Sequence, residues 1–430
     1  MTDATLLVEV YRSALVAVDA ETCVRCSLER DDPGAGPFLV LAAGKAACAM
    51  ARGAQTALGS RSVGGRVVTK DGHAFAVSGL EVREAGHPLP DERSVCAAGE
   101  VLDLARVCGG SRRLLVLLSG GASALWSAPA ASLGLGEKRL TSELLLRAGA
   151  DIRALNTVRK HLSRIKGGGL ARAAQPAALL TLALSDVEGD APDLIGSGPT
   201  AADPSSYAQA LAVLRSSGVE REVPCAVRAH LEAGAAGDRA ETLKPGDPLL
   251  ERLEYRLVAS LDDALAAAAR CAKERGLRVR NLGPVLYGEA RELARMLARE
   301  VRRARAGGAE LLIAGGEPTV RVRGDGRGGR AQELALALAL ETRSEGGLTA
   351  LCAGTDGTDG PTDAAGALID EGSLARAQAL GLDARAHLEH NDSYSFLRAT
   401  GDLFVTGPTQ TNVTDLALIR IRCQSTRSVR

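Results

Sequence analysis

Aromatic residues make up only 2% of this 430-residue chain, and lysine is also scarce, with 7 residues against 45 arginines. With so few rings, the core must be built from Leu, Val, Ile and Ala, and the apolar fraction of 46% is ordinary for a globular protein. Neither sign of charge dominates, because 52 basic residues balance 52 acidic ones. A sequence-independent grip on nucleic acid or a polybasic membrane anchor is therefore not expected. No apolar run reaches the roughly 18 residues of a membrane-spanning helix. The N-terminal 23 residues place Asp3, Glu9 and Arg12 within their apolar pattern and read as an amphipathic helix, not a signal peptide. Nine scattered cysteines fit reduced thiols, so a cytoplasmic location is expected. Cys23 and Cys26 form the only CxxC, and no second ligand pair stands at zinc-site spacing. A P-loop, a GxSxG elbow, an HExxH helix and a well-placed GxGxxG with an acidic residue downstream are all missing. No repeat of 20–50 residues is visible, which argues against a solenoid.

Two domains are expected, because a single core stops growing at about 250–300 residues. Apolar runs bounded by glycine alternate with segments of helical period. Strands are predicted over 38–42, 66–70, 80–84, 114–118 and 178–184, then over 255–259, 310–314, 319–323 and 349–353. Helices are predicted over 91–107, 155–173 (long and basic), 261–275, 289–305, 332–342 and 391–399. This alternation argues a mainly parallel sheet covered on both faces, and the first domain reads as a Rossmann-like three-layer α/β sandwich. Residues 232–250, rich in Ala, Gly and charge with two prolines, read as the linker. The domains are accordingly expected at 1–245 and 246–430, both α/β.

In an open parallel sheet, ligands bind outside the carboxyl ends of the strands. Five Gly-rich polar loops follow predicted strands: AAGKAA, LLSGGAS, LALSDVEGD, IAGGEPT and LCAGTDGTDG. One such loop is weak; five at equivalent positions are hard to explain by turn chemistry alone. In the first, Gly44 lets the backbone approach a ligand, and Lys45 puts an ammonium at a helix entry where a phosphate would sit. The scarcity of lysine favours that reading over a snorkelling surface side chain. Ser119, Gly120, Gly121 and Ser123 offer amides and hydroxyls to a phosphate or carboxylate, although an ordinary strand-to-helix turn looks the same. Asp186 ends a buried strand. It is a candidate to accept a hydroxyl proton or, with Asp190, to hold magnesium, while Asp190 and Asp193 read equally well as helix caps.

Gly328-Gly329-Arg330 sets a guanidinium fork at another helix entry, suited to phosphate or carboxylate, or else forms a hairpin tip. Glu317 in the fourth loop joins the binding candidates. So do Asp356 and Asp359, in the densest polar stretch (353–363), where hydroxyl or cation binding competes with a solvated acidic turn. An EF-hand is excluded there, because a strand leads in and Ala367 stands where the bidentate Glu belongs. Thr409 and Asn412 lie in a hydroxyl-rich turn after the short apolar run 403–405. His87 and His161 are the histidines nearest these loops and read as structural.

Taken together and in order, GKAA, GHPLPD, LLSGGASAL, LNTVRKHLSRIKGGGLA, LSDVEGDAPDLIGSGPT, GGEPTV, GGRAQE, AGTDGTDGPTDAAGA, NDSY and TGPTQTNVTDL resemble the class II glycerate 2-kinase family. The second half of that family is the MOFRL domain, and the resemblance runs from about residue 39 to 416. It implies two α/β domains with the active site in the cleft between them. It implies transfer of the γ-phosphoryl group of ATP to the 2-hydroxyl of D-glycerate, with Mg2+. Lys45, Asp186 and Arg330 match the family's catalytic lysine, aspartate and arginine. The partners it implies are the small molecules ATP and D-glycerate, with a homodimer left open. Ala331 stands where the family commonly has Asn, His390 replaces a frequent Asn, and Gln410 replaces a small residue or His. These departures bear on fine specificity.

Two other readings compete. A hydroxypyruvate reductase, a label sometimes attached to this family, needs a nicotinamide fingerprint that the chain lacks. A non-catalytic phosphosugar-binding regulator would use the Ser/Gly loops but would gain nothing from the carboxylates at Asp186 and over 356–363.

Overall fold

The computed structural model describes residues 2–110, 112–175 and 177–422. Strands β1 (Phe38–Ala43), β2 (Ser62–Lys70), β3 (Glu81–Ala85), β4 (Arg113–Leu118), β5 (Leu179–Leu184) and β6 (Leu253–Ala259) form one sheet in the order 3-2-1-4-5-6. Every neighbouring pair is parallel. β1, β4 and β5 are buried along nearly their whole length, which is why they read as continuous apolar runs without alternation. Leu39, Leu41 and Ala43 share a core with Val101 and Leu102 of the helix Glu92–Val107. The helix Ala47–Leu58 packs against β1, β2 and β4, and the helix Ala20–Arg30 packs on it. A separate helical cluster, including Ile152–His161, Tyr207–Ser216 and Cys225–Ala235, closes around Val158, Leu211 and Leu231.

Two expectations for this region fail. The long helix over 155–173 is two helices, Ile152–His161 and Gly169–Ala173. Gly167 and Gly168 between them sit at φ +55 and +78, a left-handed turn that no right-handed helix can contain. Nor do residues 232–250 behave as a linker. The helix Cys225–Ala235 runs into them, and Leu243 is fully buried. The Leu243 N–H donates to the Gly167 carbonyl, and its own carbonyl accepts from the Asp203 N–H. β6, beyond them, belongs to the same sheet. The chain therefore divides into one compact unit of Ala20–Ala259 and a second of Met1–Asp19 with Ser260–Arg430, so the division falls after β6 and not at 245.

The second unit holds β7 (Val279–Pro284), β8 (Gly288–Glu289), β9 (Leu311–Gly316), β10 (Pro318–Thr319), β11 (Leu348–Gly354), β12 (Gly366–Asp370), β13 (Leu403–Phe404) and β14 (Asp415–Ile421). Six of them form a mixed sheet in the order 13-12-11-14-9-7. Only β7 and β9 run parallel; the other pairs are antiparallel. β8 and β10 make a separate two-residue ribbon, all that forms of the strand expected over 319–323. The helices Ala290–Ala306 and Arg330–Glu341 share a core with Leu312, Ala350 and Ile419. The N-terminal helix Asp3–Ala17 ends before Asp19 and packs with Leu261–Glu274 and against β11 and β14. It belongs here because the Tyr11 hydroxyl donates to the Gly354 carbonyl at 2.7 Å and the Tyr11 ring meets Phe404 edge-on. Among the described residues, no helix is long and apolar enough to cross a membrane.

Candidate active site

The order of the first sheet reverses between β1 and β4. The chain winds outward from β1 through β2 and β3, then returns to β4 and winds the other way, so the two loops diverge and leave a crevice at the carboxyl ends. Lys45 leaves β1 and Ser119–Ser123 leaves β4 at that point. The Lys45 N–H donates to the Gly120 carbonyl at 2.8 Å, and the Ala46 N–H donates to the Ser119 hydroxyl at 3.1 Å. Gly44, at φ +133, is required there: a Cβ would stand 2.6 Å from the Ser119 carbonyl oxygen. Lys45 is half-buried, and its Cγ lies 3.6 Å from where a Cβ on Gly121 would be. The same point lies 3.0 Å from the His87 ring, so His87 walls this turn.

Asp186 follows β5 by two residues, and β5 lies two strands from β1, which puts the two strand ends about 10 Å apart. Asp186 and Asp190 are both half-buried, and Asp190 takes a left-handed backbone, φ +53. Asp193 is committed elsewhere: it accepts a hydrogen bond from buried Lys160 at 2.8 Å, and Asp203 accepts a second at 3.2 Å. His161 is structural, bonded to the Thr157 carbonyl and to Glu241.

Ser123 leads to a cluster that the sequence reading did not single out. The Lys166 ammonium, delivered inward by the glycine turn, donates to the Ser123 hydroxyl at 2.7 Å and to its carbonyl at 2.6 Å. Lys138 and Arg159 lie close enough to disfavour its charge further. Burial, and then these two cations, hold the Lys166 ammonium well below its ordinary pKa. Burial and Arg159 push Lys138 down to about 7. These residues sit in helices and in a turn before a helix, so a search of strand-ending loops passes over them. The available signal was two of seven lysines within a segment read only as a basic helix.

In the second unit, β9 and β11 end at the same edge where antiparallel β14 begins, because Asp415 pairs with both Gly316 and Gly354. Arg330 opens its helix there and grips Asp415 bidentately, Nε–Oδ2 at 2.8 Å and Nη2–Oδ1 at 3.0 Å, while also bonding Glu317. Burial disfavours the guanidinium charge, but Asp415 and then Glu317 overcome it and raise the Arg330 pKa above its ordinary value. Three of the five guanidinium N–H groups are thereby used. Asp415 was missed because it opens a strand instead of following one, and only an antiparallel strand brings its first residue to this edge.

Asp359 is buried and caps the helix Arg330–Glu341, accepting from the Ala331 and Gln332 N–H groups at 3.1 and 2.8 Å. That carboxylate already occupies the helix entry where a phosphate was expected. Burial and then Asp415 push Asp359 up to about 7, against the hydrogen bonds that favour its charge. Asp356 is buried and accepts from the Thr358 N–H at 2.9 Å. The Thr409 hydroxyl donates to the Thr355 carbonyl at 2.5 Å, and Asn412 is buried. Among the described residues, no group of three or more His, Cys, Asp or Glu side chains could hold a metal ion by itself. The carboxylates suit a cation that keeps waters and is held partly by substrate phosphates, as magnesium is.

Residues 6–232 match the family described as Domain of unknown function (DUF4147), and residues 310–415 match the MOFRL family. A protein of Agrobacterium vitis with the provisional name hydroxypyruvate reductase is 42% identical over 97% of this chain and 94% of its own length. The D-glycerate 2-kinase of Thermotoga maritima is 38% identical over 96% of this chain and 97% of its own length. The crystal structure of a glycerate kinase from Thermotoga maritima superimposes with a TM-score of 0.85 at 37% identity, covering 97% of this chain and 99% of that one. With both modules present in order and relatives matched over nearly their whole length, this chain belongs to the class II glycerate 2-kinase family.

Proposed function

We propose that this protein transfers the γ-phosphoryl group of ATP to the 2-hydroxyl of D-glycerate. The observation that carries the reading is the crevice between β1 and β4, where Lys45 and the Ser119–Ser123 loop meet at the switch point of a parallel sheet. In the reaction, the bond from the γ-phosphorus to the bridging oxygen of ADP breaks and a bond to the glycerate 2-oxygen forms. The hydroxyl proton leaves to a base. Such a transfer needs positioning and charge neutralisation more than covalent chemistry.

Lys45 neutralises the phosphoryl oxygens, and the Ser119–Ser123 amides and hydroxyls bind a phosphate or the acceptor carboxylate. Asp186 accepts the hydroxyl proton or orients it. Arg330 adds charge stabilisation through the N–H groups that Asp415 and Glu317 leave available. Glu317, Asp356, Thr409 and Asn412 are assigned to substrate contacts at the edge of the second sheet; Asp359 holds the helix that carries Arg330. Magnesium, when bound, would offset charge on the β- and γ-phosphates, with Asp186 and Asp190 as its protein ligands.

The provisional hydroxypyruvate reductase name of one relative favours a second reading. The turn after β1 argues against it: a single glycine followed by Lys45 stands where a dinucleotide fingerprint would need three glycines. One experiment separates the two. Phosphorus NMR of the product from D-glycerate, ATP and Mg2+ should show a single ester at the 2-position. A 3-phosphate would refute the regiochemistry, and no ester together with NADH-dependent reduction of hydroxypyruvate would refute the kinase reading.

A further inference from the structure

Lys138, Arg159 and Lys166 form a group of three basic side chains with no acidic partner among the described residues. Lys138 and Lys166 are 5% and 2% exposed, yet no carboxylate pairs with either among the described residues. The Lys138 ammonium has no hydrogen-bond partner among the described residues. Among the described residues, the Arg159 side chain reaches the Ser142 hydroxyl, at a long 3.4 Å. Lys160, in the same helix as Arg159, shows how this protein pairs a buried lysine for structural purposes, with Asp193 on one side and Asp203 on the other. A buried charge left uncompensated is costly, so two buried lysines beside a half-buried arginine are unlike a device for stability. Ser123, a half-buried member of the loop after β4, joins the cluster to the crevice through its two bonds from Lys166 and its 2.9 Å contact with the Ser197 hydroxyl.

We propose that Lys138, Arg159 and Lys166, together with the Ser123 hydroxyl, form a built oxyanion site that takes the carboxylate or phosphate group of a substrate. An anion there supplies the missing counter-charge and restores the protons that burial has made weakly held. Charge-assisted bonds from two ammoniums and a guanidinium suit either oxyanion. The assignment to a substrate rests on the kinase reading; the existence of the site does not.

The test is binding without turnover. Wild type, Lys138→Met and Arg159→Gln are titrated calorimetrically with D-glycerate alone, ATP alone and inorganic phosphate alone, and their thermal unfolding is recorded. Lys138→Met should raise the melting temperature of the ligand-free protein, because it removes a buried unpaired charge. Both variants should weaken binding of one ligand by about ten- to a hundredfold. Weakened glycerate binding identifies the carboxylate as occupant, and weakened ATP binding identifies a phosphate. An effect on inorganic phosphate alone keeps the site but separates it from the substrates. Unchanged binding of all three by folded variants overturns the proposal, even if the enzyme phosphorylates glycerate normally. Where neither variant folds, the wild type decides: titrations at pH 8 in two buffers of different ionisation heat should show net proton uptake on binding, and none overturns the site. Anion binding that depends on these cations, in a protein without ATP turnover, would sink the kinase reading and leave the site standing.

Discussion

The two units handle charge in opposite ways. In the first, the loops at the carboxyl edge of the sheet lead from Lys45 to Ser123 and on to buried cations that no carboxylate pairs among the described residues. In the second, the Arg330 guanidinium at the sheet edge is gripped by Asp415 and Glu317, and Asp356 and Asp359 lie buried in the same loop region. A chain whose formal charges sum to zero thus holds a local excess of each sign. Phosphoryl transfer uses both: cations face the phosphate oxygens, and carboxylates hold a metal ion or take a proton. The parallel sheet gathers its candidates from residues that follow strands. The mixed sheet also recruits one that opens a strand.

Removing Lys45, the half-buried lysine at the crevice, should have the largest effect. Lys45→Ala is expected to lower kcat by about 10²–10³ while circular dichroism and melting temperature stay near wild type. Near-normal turnover of ATP and D-glycerate would reduce Lys45 to a surface lysine. Arg330→Ala breaks the opposite arrangement and should do two things at once. It should cost about a hundredfold in rate. It should also destabilise the fold by about 3 kcal/mol in urea, because Asp415 is left buried without its partner. Asp415→Asn in the same chain should recover part of the stability and none of the rate. Recovery of both would mean that Arg330 acts only as a structural counter-ion. Gly44→Ala comes next, at about 2 kcal/mol or more: any side chain collides with Ser119, and the left-handed backbone adds strain. A folded, fully active Gly44→Ala protein would show that the β1 and β4 loops need not touch.

Local sequence carried most of the first sheet. Its central strands are apolar but for Arg113 and Thr181, and each leads into a polar loop that contains glycine, so strands and loops were legible together. What local reading lost was set by distant contacts. Leu243 lies in an Ala/Gly-rich stretch that looks like a linker, and only its bonds to Gly167 and Asp203 show it to be core. The KGGG run at 166–169 was read through as helix, although three consecutive glycines were the visible signal for a break. Asp415 was unreachable by a rule about residues after strands. Asp359 was seen, but its engagement with the amides of the Arg330 helix depends on a fold between loops about 30 residues apart in sequence, which no spacing reveals.

The smallest effect is the most direct comparison of the two units, because their buried charges should bend stability with pH in opposite directions. Asp359 rises from 3.8 to about 7 in the folded protein. Between those values the folded chain keeps a proton that the unfolded chain has lost, so stability is full near pH 4 and falls as pH climbs to 7. Lys138 falls from 10.5 to about 7. Between 7 and 10.5 the unfolded chain holds the extra proton, so stability rises with pH across that window. Each of these two groups contributes a slope of at most about 1.4 kcal/mol per pH unit, and the lowered Lys166 steepens the alkaline limb further. Urea midpoints from pH 4 to 10 should therefore pass through a minimum near neutrality in the ligand-free protein. Asp359→Asn should flatten only the acid limb, and Lys138→Met only the alkaline one. If Lys138→Met left the alkaline limb as steep as in wild type, Lys138 would not be the group that gives up its proton on folding, and the limb would have to be assigned to Lys166.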